Sequence, residues 1–182
     1  MLRPVYLLLF RLFGWKIVGF IPKELKKYII AVGPHTSNWD FIIGVAARSI
    51  LQIKKAKFLG KSQLFQPPYG WIFKLLGGIP VERKESNDVT DQVAEIFNQH
   101  SEFILAVAPE GTRRKVERLK TGFYYIALKA NVPVLPAGFD FTRREVRLGT
   151  PFYASGNIEK DMATMMRFYR SIGGKNPALG IS

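Results

Sequence analysis

Three strand-length apolar runs constrain this chain more than any other feature: Tyr28–Val32, Phe103–Ala108 and the proline-punctuated Val132–Pro136. Each is five or six residues long and carries no charge. A strand with one wet face alternates apolar and polar residues. A continuous run of this length is what a strand covered on both faces requires. Helix-length segments separate the runs, at about Ser37–Gln52, Ser86–His100 and Glu117–Ala130. In the second of these Val89, Val93, Ile96 and Phe97 recur at i, i+4, i+7 and i+8, the spacing of one helix face. Ala56–Leu59 reads as another short strand. Trp71–Leu76 reads as a short apolar helix that stops at Gly77-Gly78, its side chains packed in the core or lining an apolar groove. Ile79-Pro80-Val81 has an edge strand's proline, Glu145–Leu148 reads as an antiparallel edge, and 157–170 is a last helix. Buried strands alternating with helices predict an α/β fold, with a mixed, largely parallel sheet flanked by helices.

The chain has 182 residues, enough for one well-packed core and short for two. It contains no Ser/Gly-rich linker, low-complexity tract or internal repeat, so residues 1–182 read as a single domain. With no cysteine and only two histidines, it lacks the donors for a disulfide, a thiolate site or a His-built metal site. The net charge is +13 and is unevenly placed. Residues 1–80 hold twelve basic and two acidic residues, and the remainder fifteen and twelve. Such an excess points to an anionic partner, membrane surface or nucleic acid. Aromatic content of 13% and apolar content of 47% favour the membrane over nucleic acid. Residues 1–20 add Arg3, Arg11 and Lys16 to Trp15 and a row of Leu and Phe. The run Val5–Phe10 is too short to span a bilayer, and residues 1–20 are expected to form an interfacial helix, with a helix packed on the domain's own core as the alternative.

The turn after the first run reads Gly33-Pro34-His35-Thr36-Ser37-Asn38-Trp39-Asp40. Five residues along a continuous helix rotate a side chain by about 500°, so His35 and Asp40 meet only if His35 lies in the turn and Asp40 in the first helical turn. Pro34 before, and the capping-box-like Ser37 and Asp40 after, support that split. Asp40 would then orient the imidazole and leave its other nitrogen as a base. Equally, Asp40 could serve only as a helix cap beside an ordinary loop histidine. The second run delivers Pro109-Glu110-Gly111-Thr112-Arg113. Loops at the carboxyl ends of sheet strands share one crevice. There Gly111 allows close backbone approach, Thr112 offers a hydroxyl and Arg113 a planar donor fork for phosphate; taken alone, the segment reads more simply as a strand-to-helix turn with a solvated basic run, Arg113-Arg114-Lys115. Glu110, if turned inward, needs a partner such as an arginine.

Taken together, these segments resemble the glycerolipid acyltransferases of the lysophosphatidate acyltransferase family. The histidine, four residues and aspartate of the family's first block are His35 to Asp40. Gly78-Ile79-Pro80-Val81-Glu82-Arg83 matches its second block, Pro109 to Arg113 its third, and Val132–Pro136 its fourth. Lys61 matches a lysine before a proline-rich loop. The four blocks fall in order within residues 30–139. Pro34 departs from the polar residue many members carry there. The long hydrophobic N-terminal region is also lacking, so membrane attachment is expected to be peripheral or monotopic, at the cytoplasmic face.

The resemblance implies His35 as general base and Asp40 as its orienting partner. Lys61, Arg83, Glu110, Gly111, Thr112 and Arg113 would bind substrate. It implies transfer of a fatty acyl group from acyl-CoA or acyl carrier protein to a hydroxyl of a lysophospholipid or related glycerolipid, with no bound cofactor and no metal. The implied partners are an anionic membrane surface, the lipid acceptor and, as a donor carrier, acyl carrier protein. No Gly-x-Ser-x-Gly elbow is present, which favours direct transfer over an acyl-enzyme. Oxyanion donors are expected among backbone amides near the Ser37 helix start or the Gly111 turn. Two other readings stand beside this one: a non-enzymatic basic protein coating membrane or RNA, and a lipid or thioester hydrolase using the same His35.

Overall fold

In the computed structural model, which describes residues 2–81 and 86–181, the apolar runs lie in the middle of one seven-stranded sheet. Its strands are β1 (Lys16–Val18), β2 (Lys27–Val32), β3 (Lys57–Lys61), β4 (Gly78–Val81), β5 (Phe103–Val107), β6 (Val134–Asp140) and β7 (Glu145–Leu148). They are ordered β1-β7-β6-β2-β5-β3-β4. Every pairing is parallel except β6 with β7. The mixed, largely parallel sheet is the one the sequence pattern predicts.

β2 lies between β5 and β6 and is covered on both faces, which is why its sequence is apolar without alternation. Ile29 and Ala31 face a core built with α4 (Ser86–Gln99), α5 (Gly122–Ala130) and α6 (Ile158–Arg170). Tyr28 and Ile30 face the other way with Leu135 and Ala137, as the pleat demands. Further along that face Phe139 and Val146 pack against α1 (Arg3–Leu12) and α2 (Trp39–Ile50). Phe97 and Phe103 stack edge to face at 4.7 Å. Aliphatic and aromatic side chains buried in these clusters each contribute about 1.5–3 kcal/mol.

The N-terminal region departs from expectation. The helix read over residues 1–20 ends at Leu12, the chain turns at Gly14 (φ +69°), and Lys16–Val18 adds β1 beside β7. Glu145–Leu148 is therefore antiparallel to β6 as read, but β1 takes the edge. A three-residue strand has too few positions to show any periodicity. α5 starts at Gly122 and not Glu117, because the preceding loop folds back on the Pro109 turn. Lys120 N–H donates to Pro109 O at 2.7 Å and Leu119 is buried.

The layer containing α1 and α2 stays apolar on its outside. α3 (Gly70–Leu75) joins α2 through Phe41 and Phe73, 5.7 Å apart. Leu8, Leu12, Trp39, Ile42, Trp71 and Leu75 are 53–77% exposed. The core-packing expectation for the Trp71 segment thus holds for Phe73 and not for Trp71 or Leu75. On the opposite face, the described residues of α4, α5 and α6 expose only Tyr125 and Leu128 among large apolar side chains. No helix among the described residues is long and apolar enough to cross a membrane.

Candidate active site

The parallel strands β2, β5, β3 and β4 all end on one edge of the sheet, and the residues singled out from the sequence follow those ends. From β2 the chain passes through Gly33 and Pro34 to His35. Asp40 lies in the first turn of α2. His35 Nδ1 is 2.9 Å from Asp40 Oδ2; the His35 side chain is 23% exposed and that of Asp40 2%. The same Oδ2 accepts the backbone N–H groups of Thr36 and Ser37, both at 2.8 Å. Ser37 Oγ accepts Trp39 N–H at 3.0 Å. Asp40 therefore holds the two amides that precede the helix and orients the imidazole with the same oxygen, while the N-cap residue Asn38 makes no side-chain cap hydrogen bond. A Nδ1–H donated to Asp40 leaves Nε2 as the nitrogen able to take a proton.

Glu110 lies behind the turn. It is 1% exposed, and Oε1 accepts the backbone N–H of His35 at 2.7 Å. Burial pushes its carboxyl up to about 7, partly offset by the His35 amide and the His35 charge. Its Oε2 is buried without a hydrogen-bond partner, as a neutral carboxyl tolerates better than a carboxylate. The expected arginine partner is not what Glu110 has. Arg113 points outward, its exposed side chain placing Nε 3.4 Å from His35 Nε2. Gly111 has φ +64°, and a Cβ there would meet the Lys120 side chain at 2.9 Å. The left-handed backbone disfavours a side chain at this position, while the flexible end of Lys120 could move aside for one. Thr112 Oγ1 accepts Arg114 N–H at 3.3 Å.

Lys61 ends β3, with its backbone paired to Val81 of β4. Arg83 lies outside the described residues. In the two turns where oxyanion donors are expected, the Thr36 and Ser37 amides bond Asp40 and the Gly111 amide bonds Ala108 O at 3.0 Å. No group of three or more metal-ligating side chains occurs among the described residues. The second histidine, His100, has Nδ1 2.9 Å from Ile96 O, just past α4, and takes no part in this site.

Sequence reading missed Thr36. It is 2% exposed, and its carbonyl and hydroxyl accept hydrogen bonds from Asn176, 140 residues away. Two hydrogen bonds from one residue at that separation leave no periodicity to read.

Comparison with known proteins fits this geometry. The family model described as Acyltransferase matches residues 19–140, which hold the His35 turn, the Glu110 turn and the strands that deliver them. The chain belongs to the acyltransferase family. Among curated members, the 1-acyl-sn-glycerol-3-phosphate acyltransferase of Escherichia coli strain K12 is 28% identical over 144 residues, covering 75% of this chain and 58% of the relative. That of Haemophilus influenzae is 27% identical over 147 residues, with 77% and 60% covered. This acyltransferase-family chain thus spans less than two thirds of those relatives' length. The crystal structure of the 1-acyl-sn-glycerophosphate acyltransferase PlsC from Thermotoga maritima superposes with a TM-score of 0.62 at 21% identity, covering 92% of this chain and 74% of that one. The family's fold is therefore the fold seen here.

Proposed function

We propose that this chain is an O-acyltransferase that moves a fatty acyl group from a thioester to a hydroxyl of a lysophospholipid or related glycerolipid. The observation that carries the reading is the His35–Asp40 contact, with a buried carboxylate on Nδ1 and the Arg113 guanidinium at Nε2. An alcohol is a poor nucleophile at neutral pH. As its oxygen attacks the thioester carbonyl, His35 Nε2 takes the hydroxyl proton, and Asp40 stabilises the imidazolium. The tetrahedral adduct collapses with loss of the thiolate, which recovers the proton from His35. General-base assistance of this kind is worth about 10²–10⁴-fold. With no cysteine and no serine elbow, the acyl group passes directly to the acceptor.

The named activity of the curated relatives, acylation of 1-acyl-sn-glycerol-3-phosphate, supports a phosphate-bearing acceptor. Arg113 beside His35 Nε2 supplies a cation where such a head group would enter. Lys61, Arg83, Gly111 and Thr112 complete the proposed substrate contacts. The buried position of Glu110 favours support of the His35 turn over direct contact with substrate. The donor is acyl-CoA or acyl carrier protein. The exposed apolar side chains of α1, α2 and α3, with the basic excess of residues 1–80, favour peripheral docking on an anionic membrane. We assign that docking to the cytoplasmic face, where both donor thioesters are soluble.

The test offers purified protein an acyl thioester and a panel of lyso-lipids and analyses the lipids by mass spectrometry. Ester product supports the proposal. Free fatty acid alone would make the chain a hydrolase, and no turnover would return it to the non-enzymatic reading.

A further inference from the structure

The segment after α6 crosses the carboxyl edge of the sheet and closes on the His35 turn from the β6 side, as Glu110 does from the β5 side. It is fixed first at Gly173, whose carbonyl accepts Phe141 N–H at 2.7 Å, next to the fully buried Asp140. Gly174 then lies hard against Thr36. A Cβ there would sit 2.8 Å from Thr36 Cγ2 and 2.9 Å from Oγ1, so the approach needs a glycine. Asn176 completes the clasp. Its backbone N–H donates to Thr36 Oγ1 at 3.3 Å, and its side-chain Nδ2 donates to Thr36 O at 2.9 Å. On its other side Thr36 donates its own N–H to Asp40 Oδ2 at 2.8 Å, the oxygen that binds His35 Nδ1.

We propose that Asn176 is a positioning residue for the His35–Asp40 pair. It touches neither side chain. It acts by fixing the peptide plane of Thr36, and so the direction from which Asp40 and the imidazole meet. The Thr36 carbonyl is buried, and removing the Nδ2 donor leaves it unpaired. The turn then relaxes, and displacement of a catalytic group by about 1 Å can cost up to 10²-fold in rate. The inference rests on the reading of His35 as general base.

Asn176→Asp is the direct test, because it keeps the side chain's shape and offers the Thr36 carbonyl no donor. Asn176→Ser, a smaller perturbation, is measured beside it. Steady-state kinetics and the ¹H–¹⁵N spectrum of histidine-labelled protein are both recorded, with His100 as internal reference. The expected result for Asn176→Asp is a kcat about 10-fold lower with KM for both substrates within about twofold. The His35 Nδ1–H signal should broaden, and the His100 signal should stay where it is. A folded variant with wild-type kcat would overturn the proposal, as would a lowered kcat with an unchanged His35 signal. If neither variant folds, Asn176 serves folding and the proposal fails. Should wild type form no ester, the acyltransferase reading falls on that result alone, and the His35 spectrum still decides whether Asn176 holds the pair.

Discussion

Asp40 does two things with one oxygen, and substitution should separate them. Asp40→Asn keeps an acceptor for the Thr36 and Ser37 amides and loses the charge facing the imidazolium. It should lower kcat by at least about 10²-fold. Losing the charge-assisted hydrogen bonds should lower stability by about 1–3 kcal/mol. Rate assays and urea unfolding of the same sample check both. A destabilised variant with full turnover would leave Asp40 only holding the turn before α2. Glu110 makes a different prediction. Its carboxyl titrates near 7 in the fold against an ordinary value of 4.5, so between those values the folded chain keeps a proton that the unfolded chain has lost. The stabilisation is fully present below about pH 4.5 and is lost as pH rises through about 7. Glu110→Gln keeps an acceptor for the His35 amide and removes the titration. The stability difference, wild type minus variant, should therefore fall by roughly 1–3 kcal/mol from pH 5 to pH 8. Parallel stability curves across that range would contradict the burial argument.

Among the elements, α1, α2 and α3 carry the membrane argument together. Cutting away residues 1–20 is the wrong test, because it removes β1 from the sheet and Phe10 from the core. Paired substitutions at exposed positions leave the packing alone. Leu8→Glu with Leu12→Glu on α1, or Trp71→Glu with Leu75→Glu on α3, should each reduce sedimentation with anionic liposomes. Turnover on a soluble short-chain thioester should stay within about threefold of wild type. Salt should weaken binding of the intact protein, since the Debye length shrinks to about 3 Å at 1 M. If the α3 pair left liposome binding unchanged, docking would belong to the terminal helix alone. The elements also differ in how well the sequence announces them. β2, β5 and β6 are legible because central parallel strands need uninterrupted apolar residues. β1 is invisible because three residues at an edge need none. The late start of α5 is set by the loop folding back on Pro109, a tertiary contact that overrides local helix propensity.

At the scale of the whole molecule, the site was legible wherever the topology itself gathers residues. His35, Asp40 and the Glu110–Arg113 turn converge because parallel strands deliver their following loops to one edge. Which way each side chain turns was not legible. Glu110 and Arg113, three residues apart, meet different parts of His35, one its backbone N–H and the other its ring Nε2. The Asn176 clasp was beyond reach for another reason, since nothing local distinguishes a residue that completes a hydrogen bond from the far end of the chain. The central claim is that His35 removes the acceptor's proton during acyl transfer. It is tested most directly by comparing wild type and His35→Gln with acyl-CoA and lysophosphatidate, following ester by mass spectrometry and thiol release in parallel. Wild type should give equal amounts of ester and thiol. His35→Gln should show a rate at least about 10²-fold lower, with an unfolding midpoint within about 2 °C of wild type, because a partly exposed turn imidazole contributes little to the core. A folded His35→Gln protein that still forms ester within about tenfold of the wild-type rate would contradict the claim.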